Sequence, residues 1–296
     1  VAETIVKVAI PTILGIIMFT MGLGLGLEDF KRVIQRPKAV FIGALSQLVL
    51  LPAVGFALAW GMGLEGALAV GLVLVTLSPG GPSSNLMSHL ARADTALSVT
   101  LTAVSGIVTI VTIPLVLKLA LSVFMDANEA PDLPVLRTNL QVLAVVGAPL
   151  AAGMWVRVKA PERAASAEDV LKKVCVVLLC ILIAGAVAKE ASKVADYARQ
   201  AALPVVALTL ITMGGGFALA RLARLDRRES VTVTIEVGMQ NAAMAITVAL
   251  SILESSVMSI PGVIYGLWMY LPCMVAVWAG RRWLSAEDAA GAEATA

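Results

Sequence analysis

A single glutamate, Glu236, stands inside the apolar stretch Val231–Leu253 and is followed at once by Val237-Gly238-Met239-Gln240-Asn241. A carboxylate at membrane depth costs about 2.5–3.5 kcal/mol on insertion scales. An acid, a glycine and two carboxamides in so short a run are the parts of a cation site. The acid supplies charge, the amides supply neutral oxygens, and the glycine lets the helix open and free its carbonyls. A second segment of the same kind reads Thr76-Leu77-Ser78-Pro79-Gly80-Gly81-Pro82-Ser83-Ser84-Asn85. Each proline removes an amide donor and crowds the preceding turn, so no helix runs through unbroken. Broken backbone facing lipid leaves polar groups unpaired, so both segments must be buried in protein or line a cavity.

The elements that have to position these residues follow from composition. The chain has 296 residues, 59% of them hydrophobic, with a mean hydropathy of +0.92. Charged residues make up 14%, against about 25% in an ordinary soluble domain. The apolar residues come in runs of about 20, the length that crosses a bilayer, and they do not alternate as barrel strands do. The expectation is an all-α polytopic membrane protein embedded in a lipid bilayer. A net charge of +2, with no compact basic patch carrying interleaved aromatics, gives no reason to expect nucleic acid as a partner. Cys175, Cys180 and Cys273 lie in apolar segments without metal-ligand spacing and read as small packing residues. No cleavable signal stands out, because the first apolar run is long, Gly-rich and without a basic leader.

Nine spans are predicted: 4–27, 39–60, 64–78 continuing brokenly to 90, 95–125, 136–156, 170–188, 201–220, 231–253 and 257–283. Sixteen of the 22 Lys and Arg residues then fall on one side, among them Lys31, Arg36, Lys38, Arg92, Arg157, Arg224, Arg227, Arg228 and Arg281. The other side receives Lys7, Lys118, Arg137, Lys189, Lys193 and Arg199. Basic residues collect in the cytoplasm, which puts the N-terminus outside and the C-terminus inside. Pairing spans two, three and four with seven, eight and nine aligns the two broken ones, as in an inverted repeat that has lost its first helix. Matching interruptions in two halves are a pointer to a transporter's binding site.

The chain resembles the bile acid:sodium symporter family. The resemblance rests on Gly15-Ile16-Ile17-Met18-Phe19-Thr20-Met21-Gly22-Leu23, on Arg36-Pro37-Lys38 leading to Gln47 and Pro52, and on Pro79-Gly80-Gly81 through Ser84-Asn85. Ala96-Leu97-Ser98 through Thr102 and Glu236 through Asn241 complete it. It implies a core domain with two crossed broken helices (39–125 and 201–283), a panel domain (1–30 and 136–190) and a C-terminal tail (284–296). It implies two sodium ions. The first would be held by Ser84, Asn85, Ser98, Thr102 and Glu236, the second by Gln47, Gln240 and oxygens of Glu236, Val237 and Met239. Hydroxyls, amides and one carboxylate suit a hard cation. A small organic anion would sit near the same crossing, against Asn241 and the backbone at Pro82 and Ser83, where helix N-termini favour negative charge. Pro82 stands where several bacterial relatives have threonine, and Met269 and Tyr270 where some carry polar cavity residues. Both departures weigh against bile acid and leave a smaller anion such as pantoate open.

The function implied is sodium-coupled symport of an organic anion by alternating access, in a bacterial inner membrane. The alternative is a sodium/proton antiporter or proton-coupled anion carrier with Glu236 exchanging a proton, although further intramembrane Asp or Lys, usual in such carriers, are lacking. An enzyme is not expected: His89, the sole histidine, sits at a membrane edge, and there is no paired-His or acidic metal spacing. Ser84, Ser98 and Thr102 are also the small polar residues that commonly join membrane helices, and Gln47 could serve a backbone carbonyl instead.

Overall fold

The computed structural model describes residues 2–126, 135–190 and 192–295. Val1 and Ala296, at the ends of the panel and tail ranges above, lie outside the described residues. Helices follow one another throughout, and no strand occurs among the described residues. Helix α1 (Ala2–Leu23) leads through a 3-10 turn at Leu27–Phe30 to α2 (Lys31–Gln35). Helices α3 (Pro37–Leu45) and α4 (Leu51–Gly61) form one rod through a π-helical stretch, Ser46–Leu50. After α5 (Gly66–Thr76) the chain leaves helical geometry, and α6 (Pro82–Leu90) begins at the second proline. Helix α7 (Thr95–Phe124) is continuous through Pro114. Helices α8 (Val135–Val142) and α9 (Ala148–Lys159) are again joined by a π-helical stretch, Leu143–Gly147, and α10 (Pro161–Lys189) and α11 (Val194–Leu222) follow. Helix α12 (Arg227–Gly238) is interrupted before α13 (Ala242–Ser251), and α14 (Ser256–Trp268) and α15 (Tyr270–Thr295) close the chain.

Six stretches are long and apolar enough to cross a membrane: Pro37–Gly61, Thr95–Phe124, Asn139–Lys159, Val194–Leu222, Arg227–Ser251 and Ser256–Ser285. A seventh is added if Val8–Leu23 and Leu27–Gln35, bent by 71°, count as one. The expectation of nine further counts α5 with α6 as one broken span and takes 170–188, within α10, as another. At 11 and 9 residues, α5 and α6 are each too short to cross alone.

The π-helical stretches have a local cause. Pro52 and Pro149 lack an amide hydrogen, and their rings crowd the carbonyls of Leu48 and Val145. Widening the turn just ahead of each proline relieves the clash. At Ser46–Leu50 the wide turn carries Gln47 into the interior, where it is buried.

Helices α1 and α9 pack backbone to backbone. A Cβ at Gly22 would strike the Leu150 carbonyl, and one at Gly153 would strike the Phe19 carbonyl. Close approach through glycine is the usual way membrane helices gain dispersion contact without a hydrophobic drive. The stretch Arg227–Ser251 has 78% of its apolar window buried, against 33% for Thr95–Phe124. Helices α12 and α13 are therefore enclosed by other helices, and α7 presents much of its surface outward. Among the cysteines, Cys273 is buried as expected of a packing residue, whereas Cys180 is exposed. The period of its apolar helix turns it to the outside, so it is not a core residue.

Candidate functional site

Helix α12 is fixed at its start by a capping box: the Asp226 carboxylate accepts from the Glu229 amide at 2.7 Å, and Glu229 accepts from the Asp226 amide at 3.1 Å. Glu229 also pairs with Arg36 at 3.3 Å, which ties α12 to the start of α3. Two turns on, Glu236 is 1% exposed. Its carboxylate accepts from the Ser98 hydroxyl at 2.7 Å and from the Thr102 hydroxyl at 2.6 Å. Ser98 and Thr102 are four residues apart on α7 and so share one face. The side-chain carbonyl of Asn85 lies 2.9 Å from the Ser98 hydroxyl and 3.4 Å from that of Thr102. Ser84 is a further near neighbour of the carboxylate, while its one hydroxyl proton goes to the Gly81 carbonyl at 2.7 Å.

Five side chains named from the sequence thus come together from three helices: Ser84 and Asn85 from α6, Ser98 and Thr102 from α7, Glu236 from α12. They offer carboxylate, hydroxyl and amide oxygens. No lysine, arginine or histidine makes a hydrogen bond or ion pair with Glu236 among the described residues. A buried carboxylate without a cationic partner is costly, and the donor set around it suits a hard monovalent cation. No three His, Cys, Asp or Glu side chains gather anywhere among the described residues.

Two interruptions meet beside this cluster. Gly80 lies against Glu236 so closely that a Cβ there would collide with the carboxylate and come within 3.1 Å of the Thr102 hydroxyl. The amide of Asn241 donates to the Pro79 carbonyl at 2.8 Å, so one break caps the other. The Asn241 side chain turns back to cap α13, accepting from the Met244 amide at 3.0 Å. That leaves its amide nitrogen as a donor, 3.8 Å from the sulfur of Met21 on α1. Pro82 and Ser83 are half-buried at the start of α6, and the Ser83 hydroxyl lies 3.3 Å from that of Tyr270. Met269 is buried.

The second group of residues closes on itself. Gln47 and Gln240 form a reciprocal amide pair. The Gln47 amide also donates to the Ser78 carbonyl at 3.2 Å, so one of its bonds does go to backbone. The Gln240 amide donates to the carbonyls of Val237 at 2.8 Å and Glu236 at 3.3 Å. Met239 has extended backbone and is buried. Carbonyls from both interruptions are therefore satisfied by side-chain amides.

One positioning residue has no signature in the sequence. Tyr265 on α14 is fully buried and donates its hydroxyl to the Gly238 carbonyl at 2.9 Å, in the last turn of α12. A phenol inside an apolar run that also holds Tyr270 is the only sign of it.

A family model described as the sodium bile acid symporter family matches residues 11–197. The chain is 32% identical over 259 residues to an uncharacterized sodium-dependent transporter, YocS, of Bacillus subtilis, covering 86% of this chain and 77% of that one. It is 29% identical over 276 residues to a probable chloroplastic sodium/metabolite cotransporter of Oryza sativa, covering 93% of this chain and 64% of the plant protein. Against the human ileal sodium/bile acid cotransporter it is 27% identical over 253 residues, covering 83% of this chain and 70% of that one.

Proposed function

The chain belongs to the sodium bile acid symporter family, a family of sodium-dependent transporters, and from that premise we propose that it couples inward sodium flow to uptake of a small organic anion. The observation that carries this reading is Glu236: 1% exposed, held between two hydroxyls, and with no basic residue bonded to it among the described residues. A mobile cation supplies the missing counter-charge. Ser84, Asn85, Ser98, Thr102 and Glu236 hold the first sodium. A second takes oxygens from Gln47, Gln240, Glu236, Val237 and Met239 once the Gln240 amide rotates off the carbonyls it now satisfies.

The anion binds beside the two interruptions, at the Asn241 amide nitrogen and the backbone of Pro82 and Ser83. The N-termini of α6 and α13 both open there, and the positive ends of their dipoles favour a carboxylate. The relatives include a bile acid carrier and a metabolite carrier by name. Pro82 and Met269 leave few polar groups for a large steroid, which favours a hydroxy or keto acid such as pantoate.

The core, 39–125 with 201–283, rocks against the panel, 1–30 with 136–190. Support for that division comes from α1, whose closest packing is with α9 and α10, and from α12, packed on α3, α6, α7, α11 and α15. Nine spans, counting α5–α6 and α12–α13 as broken ones, form an inverted repeat with the N-terminus outside and the C-terminus in the cytoplasm of a bacterial inner membrane. The packing favours an inward-open form. Helices α13 and α14, in the outer half, pack on α1 and α10, and the Ser256 hydroxyl donates to the Glu190 carboxylate across that seam at 2.6 Å. In the inner half, α6 packs chiefly on the core helices α7, α12 and α15.

Uptake of radiolabelled pantoate, pyruvate or taurocholate into proteoliposomes tests the proposal. It should require an inward sodium gradient and vanish in Glu236→Ala. Equal uptake with potassium in place of sodium rejects the coupling.

A further inference from the structure

The face of α12 that carries Glu236 continues toward the basic end of the helix at four-residue intervals, through Thr232 to Arg228. Each of the three contacts the same partner region. Glu236 meets Ser98 and Thr102 in α7. The Thr232 hydroxyl donates to the Asp94 carbonyl at 3.1 Å, just ahead of α7. Arg228 donates to the Arg92 carbonyl at 2.8 Å, in the turn between α6 and α7. Four residues of α-helix rise about 6 Å, so these contacts form three tiers from the buried carboxylate to the surface.

Helix α6 closes the same column, since α6, α7 and α12 pack on one another pairwise. Its Ser84 belongs to the first tier. Ser88, one turn nearer the surface on the same face, is fully buried, and its hydroxyl has no hydrogen-bond partner. A serine inside a helix ordinarily bonds the carbonyl a turn back, and buried polar groups left unpaired are uncommon enough to need a reason. Thr232 is also fully buried. The second tier therefore holds two small buried hydroxyls, that of Ser88 unpartnered, beside the Asp94 carbonyl, which accepts from the Thr232 hydroxyl and the Ser98 amide.

We infer that this column is the path by which sodium leaves Glu236 for the cytoplasm, with Ser88, Thr232 and the Asp94 carbonyl as a transient coordination step. An ion stripped of water needs oxygen ligands at each stop, and a tier about 6 Å on lets it exchange one partial shell for the next. Arg228, held on the Arg92 carbonyl, closes the outer end. Site residues set how tightly sodium binds. Residues of the second tier set how fast it comes and goes, because they touch the ion only between its two resting places.

This inference rests on the reading of Glu236 as a sodium ligand, and the test separates the two. Sodium alone is titrated onto the purified full chain in lipid nanodiscs, following intrinsic tryptophan fluorescence at equilibrium and by stopped-flow mixing and dilution. The variants are Ser88→Ala, Thr232→Val and the pair, with Thr232→Ser restoring the hydroxyl. Association and dissociation should both slow, by roughly fivefold in the double variant if one polar contact is lost at the barrier. The equilibrium affinity should stay that of the parent protein, and Thr232→Ser should recover the parent rates. Parent-like rates in the folded double variant overturn the path. So does weaker binding with faster dissociation, which would make the two hydroxyls ordinary ligands. A parent protein without any sodium response sinks the transport reading itself, and the path with it.

Discussion

The two interruptions do the same work by different means. Between α5 and α6 the break is written locally: Pro79 and Pro82 cannot continue a helix, and Gly80 and Gly81 lie between them. Between α12 and α13 there is only Gly238, and Met239 to Asn241 depart from helical geometry under tertiary constraint. The Asn241 amide is taken by the Pro79 carbonyl, its side chain caps α13, and Tyr265 takes the Gly238 carbonyl. One segment breaks by itself and the other is broken by its surroundings. The first therefore acts as a template for the second.

Substitutions can test that contrast, beginning with the largest effect. Gly80→Ala puts a Cβ into the Glu236 carboxylate, and sodium-driven uptake in proteoliposomes should be lost. A Cβ at Gly238 meets the flexible Met213 side chain instead, so Gly238→Ala should keep measurable uptake. Equal loss in both would mean the two glycines serve one purpose. Tyr265→Phe leaves the Gly238 carbonyl without its side-chain partner. Thermal unfolding in micelles should register about 1–3 kcal/mol of destabilisation, with weaker sodium activation of uptake. A parent-like response would show that the second break needs no such brace. Gln47→Ala strips the Ser78 carbonyl and the Gln240 amide of a partner, and a loss of about 1–2 kcal/mol is expected by the same measurement. Pro79→Ala should cost least, within about 1 kcal/mol, because Pro82 and the glycines still break the helix. A large loss there would place the template function in that one proline.

Much of this was legible before any coordinates. Proline and glycine act through their own backbone chemistry, so the first interruption could be read directly. Glu236 stood out because an acid among apolar residues is expensive wherever it sits. Ser98 and Thr102 stand out through the family resemblance, and their four-residue spacing puts them on one helix face. What was not legible depends on packing between distant segments. Tyr265 reaches back 27 residues to Gly238, and no local pattern marks a phenol that will find a carbonyl. The Arg36–Glu229 pair, 193 residues apart, was likewise hidden: Arg36 was legible as a basic loop residue and as part of a family motif, but nothing local named its partner. Cys180 and Cys273 look alike in sequence and face opposite ways, because their orientation is set by which side of each helix finds a neighbour.

The twin glutamines at positions 47 and 240 have a consequence for the integrity of both interruptions. Their NH groups occupy lone pairs on Ser78 and Val237 that the broken helices would otherwise leave unpaired. Neither interruption then leaves these carbonyls bare in the interior, and a neutral crosslink of two amides spans the place where the fractured rods cross.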